Sequence, residues 1–220
     1  PEATVLVEPA GKDTGPALAY ATHHVAEAFE TPLVLALPSD HHVVGDFESA
    51  ARRGARVAAE TDALVTFGVE PTRPDTGYGY VEPGTDHGDY AEVAAFHEKP
   101  DAETAREYVD RGYYWNAGVF AWTPEAFRTA ARDTQLAPLF DALDSGNADG
   151  GFDAVDPVSV DYAVFERAGD AVTVPLGVEW DDLGSWDALQ RILPADEDGT
   201  VVAGDAEVVS LDGENNVVAG

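Results

Sequence analysis

Short apolar runs bounded by turn-forming residues alternate along most of this chain with longer segments of helical periodicity. That alternation predicts an α/β fold built on a mostly parallel, Rossmann-like sheet with flanking helices. Val5-Leu6-Val7 reads as a short strand. Residues 15–29 place Leu18, Ala21, Val25 and Phe29 at helical spacing, and residues 33–37 form a continuous apolar strand. A helix over 46–60 and a buried strand over 63–69 follow. Further on, residues 90–99 read as extended, 102–111 as helical, and 113–122 as an aromatic-rich strand interrupted by Asn116 and Gly118. Thr123 followed by Pro124 is a helix start, an N-cap with proline at the first helical position. Residues 158–168 read as helical, 171–175 as a strand and 185–193 as a last helix, with Ser185 its N-cap.

After Asp198-Gly199 the pattern changes. Val201-Val202, Glu207-Val208-Val209 and Val217-Val218 are separated by Gly and Asp turns with no helix between them. Residues 1–194 therefore read as one domain. Residues 199–220 read either as the start of a second, all-β module or as a terminal hairpin of the first.

Charge narrows the function classes. The chain carries 42 Asp and Glu against 12 Lys and Arg, a formal net charge of -30. Self-repulsion on that scale opposes compactness at low salt. At molar salt the Debye length falls to about 3 Å and the repulsion is screened. The composition fits the cytoplasm of a halophile better than an ordinary acidic mesophilic protein. No basic stripe is present to neutralise a nucleic-acid backbone. No run approaches the roughly 18 apolar residues of a membrane helix. Cysteine is absent, which removes thiolate ligands and nucleophiles. Methionine is absent too, even at position 1, so the chain reads as processed or as an excerpt from something longer.

Asp40 ends an apolar strand, where open α/β sheets place their ligands. It reads as a magnesium ligand or as a strand-end cap, since Mg²⁺ takes one or two protein carboxylates and leaves other positions to phosphate and water. Only two lysines occur, Lys12 in Glu8-Pro9-Ala10-Gly11-Lys12-Asp13-Thr14-Gly15-Pro16 and Lys99 in Phe96-His97-Glu98-Lys99-Pro100. Each is a phosphate or sugar contact, or a solvated surface residue. Gly15-Pro16 at a helix start resembles an anion-binding N-terminus. Thr76-Gly77-Tyr78-Gly79-Tyr80 offers approachable backbone and two rings to a sugar or base, or is a turn. Asn116 places an amide within an apolar strand, where it needs partners that a sugar hydroxyl could supply. Asp181 and Asp182 precede a helix, and they act as metal ligands or simply favour its dipole.

Taken in order, these strings resemble the mannose-1-phosphate guanylyltransferase family over residues 5–193. The most specific are residues 67–80, Glu98-Lys99-Pro100, residues 113–120, Ser159-Val160-Asp161-Tyr162-Ala163 and residues 182–186. The resemblance implies a nucleotide-diphospho-sugar transferase fold and transfer of GMP from GTP to mannose 1-phosphate. It implies Mg²⁺ on Asp40 and Asp182, and sugar and sugar-phosphate contacts by Gly77, Tyr78, Glu98, Lys99 and Asn116. Lys12 falls in a substrate-binding motif, but Lys12, Asp13 and Gly15 depart from the family's usual Arg, Asn and Ala. The family's glycine-rich phosphate loop has no counterpart here, so a first strand, its helix and a second strand are expected to precede Pro1, and the chain alone is expected not to turn over. The tail resembles the start of a left-handed β-helix, a surface for homodimerisation. A sibling sugar-1-phosphate nucleotidyltransferase, using glucose 1-phosphate with UTP or TTP, and a non-catalytic sugar-nucleotide-binding subunit are the alternatives.

Overall fold

A computed structural model of the chain describes residues 3–184, 186–206, 208 and 213–220. They divide into two compact units, Pro1–Leu37 with Glu48–Gly177, and Pro38–Phe47 with Val178–Gly220. No helix among the described residues is long and apolar enough to cross a membrane.

The first unit contains helix α1 (Thr14–Ala28), strand β1 (Val34–Ala36) and, after strand β2 (His41–Val44) of the second unit, helix α2 (Phe47–Thr61) and strand β3 (Val65–Val69). Strands β4 (Tyr80–Asp86) and β5 (Ala91–His97), helix α3 (Ala102–Asp110) and strand β6 (Tyr114–Trp122) follow. Helices α4 (Pro124–Arg132), α5 (Ala137–Asp144) and α6 (Ala148–Asp153) lead to a π-helical turn (Asp161–Phe165) and strand β7 (Val172–Pro175). Local chemistry sets several helix starts. The Thr123 hydroxyl accepts from the Ala126 amide ahead of Pro124, and the Asp101 carboxylate accepts from the Thr104 amide.

The sheet runs in the order β1-β6-β3-β7-β5-β4, with β4 also paired to β6. The pairings from β6 through β3, β7, β5 and β4 thus return to β6 and close a ring. The expectation of a mostly parallel sheet is wrong. Among the described strands of this sheet only β3 and β7 pair in parallel, and the other pairings are antiparallel. The crossover through α2 does leave β1 and β3 running the same way, but β6 lies between them, antiparallel to both. A repeating strand–helix pattern specifies direction, not which strand fills the gap.

Two further expectations are corrected, and one strand is unforeseen in the sequence. Val5-Leu6-Val7 joins no ladder, and Val5 and Val7 are 81% and 77% exposed, because no strand lies opposite them among the described residues. The segment 158–168 is not a regular helix but a π turn flanked by looser turns. Strand β4 is hidden in the sequence because it contains Pro83-Gly84. The register against β5 shifts at Pro83, which spares the ladder an amide that proline lacks.

The core of this unit gathers Leu64, Phe120, Trp122, Phe127, Leu136, Leu139, Phe140, Phe152 and Phe165, all fully or almost fully buried. Trp122 donates its indole N–H to the Thr22 hydroxyl on α1 at 3.1 Å, so the ring buries without an orphaned donor. This packing carries β6, and with it Asn116, on a fixed base.

In the second unit β2 pairs antiparallel with β8 (Glu179–Asp182), helix α7 spans Trp186–Ile192, and β9 (Val201–Ala203) pairs in parallel with β10 (Val217–Ala219). Asp196 organises the turn before β9, its carboxylate accepting from the Asp198 and Thr200 amides at 3.0 and 2.8 Å. Ser185, Glu207 and Val209, where an N-cap and a middle strand are expected, lie outside the described residues.

Candidate functional site

The first unit holds a narrow cleft lined by Gly79, Tyr80, Phe96, His97, Glu98, Asn116, Asp161 and Glu166. Its floor is the meeting of β4, β5 and β6. The Asn116 amide N–H donates to the Gly79 carbonyl at 2.9 Å, and Tyr80 lies opposite both His97 and Trp115. A Cβ at Gly79 would stand 3.0 Å from Glu98 Oε2, so a larger residue there would push the Glu98 carboxylate aside.

The Asn116 carboxamide finds its partners within the protein. Its Nδ2 donates to Asp161 Oδ1 at 2.6 Å, while Oδ1 accepts from Thr66 Oγ1 and from the Gly118 amide, both at 3.2 Å. The Gly118 amide can only donate and the Asp161 carboxylate accepts, so the amide has one sensible orientation. Asp161 and Glu166 come from the two ends of the π turn, which is closed by the Glu166 amide donating to the Asp161 carbonyl at 2.9 Å. Burial raises the Asp161 carboxyl above its ordinary range; the Asn116 bond opposes that and the Glu98 charge adds to it. Burial likewise raises Glu166, with the charges of Glu98 and Asp161 adding. A cleft ringed by three carboxylates suits hydroxyl groups and repels an anion.

Of the expected contacts, Glu98 and Asn116 therefore share this cleft. Lys99 adjoins it, with Nζ 3.3 Å from Glu98 Oε1 and its backbone at φ 40°, in the left-handed region. Gly77 and Tyr78 sit in the preceding loop. The Gly77 amide donates to Asp75 Oδ1 at 2.8 Å, and the Tyr78 ring meets Trp115 edge-on at 5.2 Å, with the Arg73 guanidinium 5.0 Å from the Trp115 ring. Lys12 lies apart from the cleft lining; its Nζ donates to the Val155 carbonyl at 2.7 Å. The expected anion site at Gly15-Pro16 is not there. The Thr14 amide donates to Asp13 Oδ1, the Gly15 amide donates to the Val158 carbonyl, and Pro16 has no N–H. That helix start is stitched to residues 158–160, where the Thr14 hydroxyl also accepts from the Val160 amide.

Asp161, Glu166, Gly79 and Thr66 line or brace the cleft, and residue type alone gives none of them a role. Asp161 enters the sequence reading only within a longer string. The signal that could have found the two acids is their five-residue separation across an apolar stretch, the span that one i to i+5 backbone bond closes in a π turn.

In the second unit, the β2–β8 ribbon places His41 opposite Asp182, and the Leu183 amide donates to the Asp40 carbonyl at 3.3 Å. Asp40 and Asp182 thus flank the same end of one ribbon. Burial lowers the His41 pKa while the charges of Asp182 and then Asp40 raise it, so both acids lie within electrostatic reach of one ring. Asp182 Oδ1 accepts from the Gly184 amide at 2.7 Å. The ribbon is braced by Trp180, whose indole meets the His41 ring, and by Arg191, which grips the buried Asp181 with two bonds of 2.7 and 2.6 Å. Two hard carboxylates at one ribbon end fit a Mg²⁺ that keeps its other positions for water and phosphate. No group of three or more His, Cys, Asp or Glu suited to a metal occurs among the described residues.

Known proteins place these features in context. The sequence pattern described as Nucleotidyl transferase matches residues 1–199. The chain belongs to the nucleotidyl transferase family. It is 40% identical to the xanthan biosynthesis protein XanB of Xanthomonas campestris, over 98% of this chain and 48% of that protein. It is 39% identical to a mannose-1-phosphate guanylyltransferase of Klebsiella pneumoniae, over 93% of this chain and 47% of that one. The chain spans about half the length of the curated relatives it matches. A Thermus thermophilus crystal structure, described as a mannose-1-phosphate geranyltransferase, superposes with a TM-score of 0.84 at 33% identity, over 98% of this chain and 67% of that one. Nucleotidyl transferase membership makes both described features, the hydroxyl-suited cleft and the acidic ribbon end, candidates for substrate and metal handling.

Proposed function

We propose that the protein carrying this chain transfers GMP from GTP to mannose 1-phosphate, giving GDP-mannose and pyrophosphate. The observation that carries this reading is the cleft in which Glu98 and Asn116 meet, in a chain 39% identical to a mannose-1-phosphate guanylyltransferase. A sugar-phosphate oxygen attacks the α-phosphorus and pyrophosphate leaves. Little covalent work falls to the protein, so its residues act by positioning and by offsetting charge. Glu98 and Asn116 hydrogen-bond the hexose hydroxyls, Gly77 and Tyr78 border the sugar, and Lys99 offsets the charge of its phosphate. Asp40 and Asp182 would hold Mg²⁺, which when bound supplies Lewis-acid polarisation of phosphate oxygens. Lys12, which holds the Val155 carbonyl, belongs on this reading to the substrate-binding motif.

In the same reading residues 1–194 are the catalytic domain and residues 199–220 begin a left-handed β-helix, supported by the parallel pairing of Val201 with Val217. A homodimer formed through that module, and a halophile's cytoplasm as the setting, complete it; the charge of -30 supports the latter. Pyrophosphate release by the full-length protein at molar KCl, with mannose 1-phosphate and GTP, tests the activity. Turnover of glucose 1-phosphate with UTP or TTP in its place would make the protein a sibling nucleotidyltransferase instead.

A further inference from the structure

The proposed function gives Asn116 a role but leaves open why a flexible amide should present the same face to every sugar. Its carboxamide is clamped on both sides. On one side Thr66, fully buried on β3, and the Gly118 amide hold Oδ1; on the other Asp161 holds Nδ2. The Thr66 and Gly118 bonds are long at 3.2 Å, whereas the Asp161 bond is short at 2.6 Å and involves a carboxylate. Bonds to an ionised acceptor are about twice as strong as neutral ones, so Asp161 is the member of the clamp with most control over the amide.

Asp161 is itself held. It sits at the first position of the π turn, whose i to i+5 bond from Glu166 fixes the backbone. Ahead of it, Val160 is tied to the Thr14 hydroxyl of α1 at 2.9 Å. π turns are uncommon and recur at functional sites, because the extra residue swings a side chain out of helical register. Here the displaced side chain meets an amide 45 residues away in sequence.

We infer that Asp161 is a positioning residue for sugar recognition: by accepting from Asn116 Nδ2 it fixes the amide so that one remaining N–H is offered to a hexose hydroxyl. This rests on the sugar-binding reading of the cleft. Asp161 acts through Asn116 and bonds no phosphate, because Glu98 and Glu166 share its surroundings and would repel one.

The test is a double-mutant cycle in the full-length protein at molar KCl, read as mannose 1-phosphate affinity by calorimetry and as KM and kcat where there is turnover. Asp161→Ala should weaken mannose 1-phosphate about tenfold, the worth of one charge-assisted hydrogen bond, and leave the KM for GTP unchanged. Asp161→Asn keeps an acceptor for Nδ2 and should return affinity to within about threefold of the unsubstituted protein. Asn116→Ala should weaken binding comparably, and adding Asp161→Ala to it should cost nothing further. Additive losses, or equal losses for sugar phosphate and GTP, would overturn the inference. Where Asp161→Ala does not fold, Asp161→Ser, too short to reach Nδ2, takes its place in the cycle. Binding without turnover would count against the proposed activity while leaving this inference standing; turnover with an additive cycle would do the reverse.

Discussion

Gly54, midway along α2, offers a substitution whose two effects oppose each other. In an exposed helix interior, replacing Gly by Ala stabilises by about 0.8–1.0 kcal/mol. Gly54 is buried, however, and a Cβ there would run into Cζ, Cε1 and Cε2 of Phe67, the second at 2.7 Å. Carbon atoms rest about 3.5–4.0 Å apart, so the methyl intrudes by roughly 1 Å at Cε1 and by more at Cζ. Phe67 cannot yield, being 0% exposed in β3 between β6 and β7. Overpacking of this kind costs about 1–3 kcal/mol, and the intrusion argues for the upper half of that range. The expected net loss for Gly54→Ala is about 1.5 kcal/mol, a fall in Tm of roughly 3–6 °C for a domain of this size. Thermal unfolding followed by circular dichroism at constant molar KCl measures it. Adding Phe67→Leu should make room, so the double variant should be more stable than the sum of the two single effects predicts. A Tm for Gly54→Ala equal to or above that of the unsubstituted protein would refute the claim that ring contact outweighs helix propensity.

Three other outcomes are expected. Tm should rise between 0.1 and 2 M KCl as a net charge of -30 is screened, and a flat or falling Tm would remove the electrostatic argument. Burial, reinforced by Glu82, pushes the Tyr113 phenol up to about 12; the unfolded phenol ionises near 10, so the folded state holds its proton longer and this contribution to stability is lost as pH rises through that window. Ultraviolet titration should show a late-ionising component that Tyr113→Phe removes. Asp182→Ala should abolish turnover while leaving the circular dichroism spectrum intact, and retained activity would end its metal role.

What the sequence revealed follows the range of the interactions involved. Thr123-Pro124 announces α4 because capping is settled within one helical turn, and α1, α2 and β3 are legible from periodicity that burial on one side imposes. The antiparallel placement of β6 is not local, since it depends on pairing Leu35 with Ala121 and Val65 with that same residue. Proline at position 83 reads as a breaker until the register shift that accommodates it is seen. At the site, Asn116 stands out as an amide within an apolar strand, and Glu98 by its place beside one of the chain's two lysines. Asp161 is as visible as any of the chain's many acids; what distinguishes it is a partner on another strand and a turn geometry that periodicity does not encode. Lys12 stands out by its rarity, and its ammonium donates to the Val155 carbonyl, a contact that rarity does not announce.

The closed circuit of strand pairings bears on how the cleft breathes. A sheet with ends frays from its edges, one strand at a time. Here Val81 lies opposite both Phe96 and Tyr114, and Trp115 opposite both Tyr80 and Val69. Releasing any one seam leaves each strand of the circuit still held on its other side. The amides beneath Glu98 and Asn116 should therefore exchange with solvent together, in a single cooperative opening, and not in a graded series from one edge. Whatever occupies the cleft meets a floor that is whole or wholly lost.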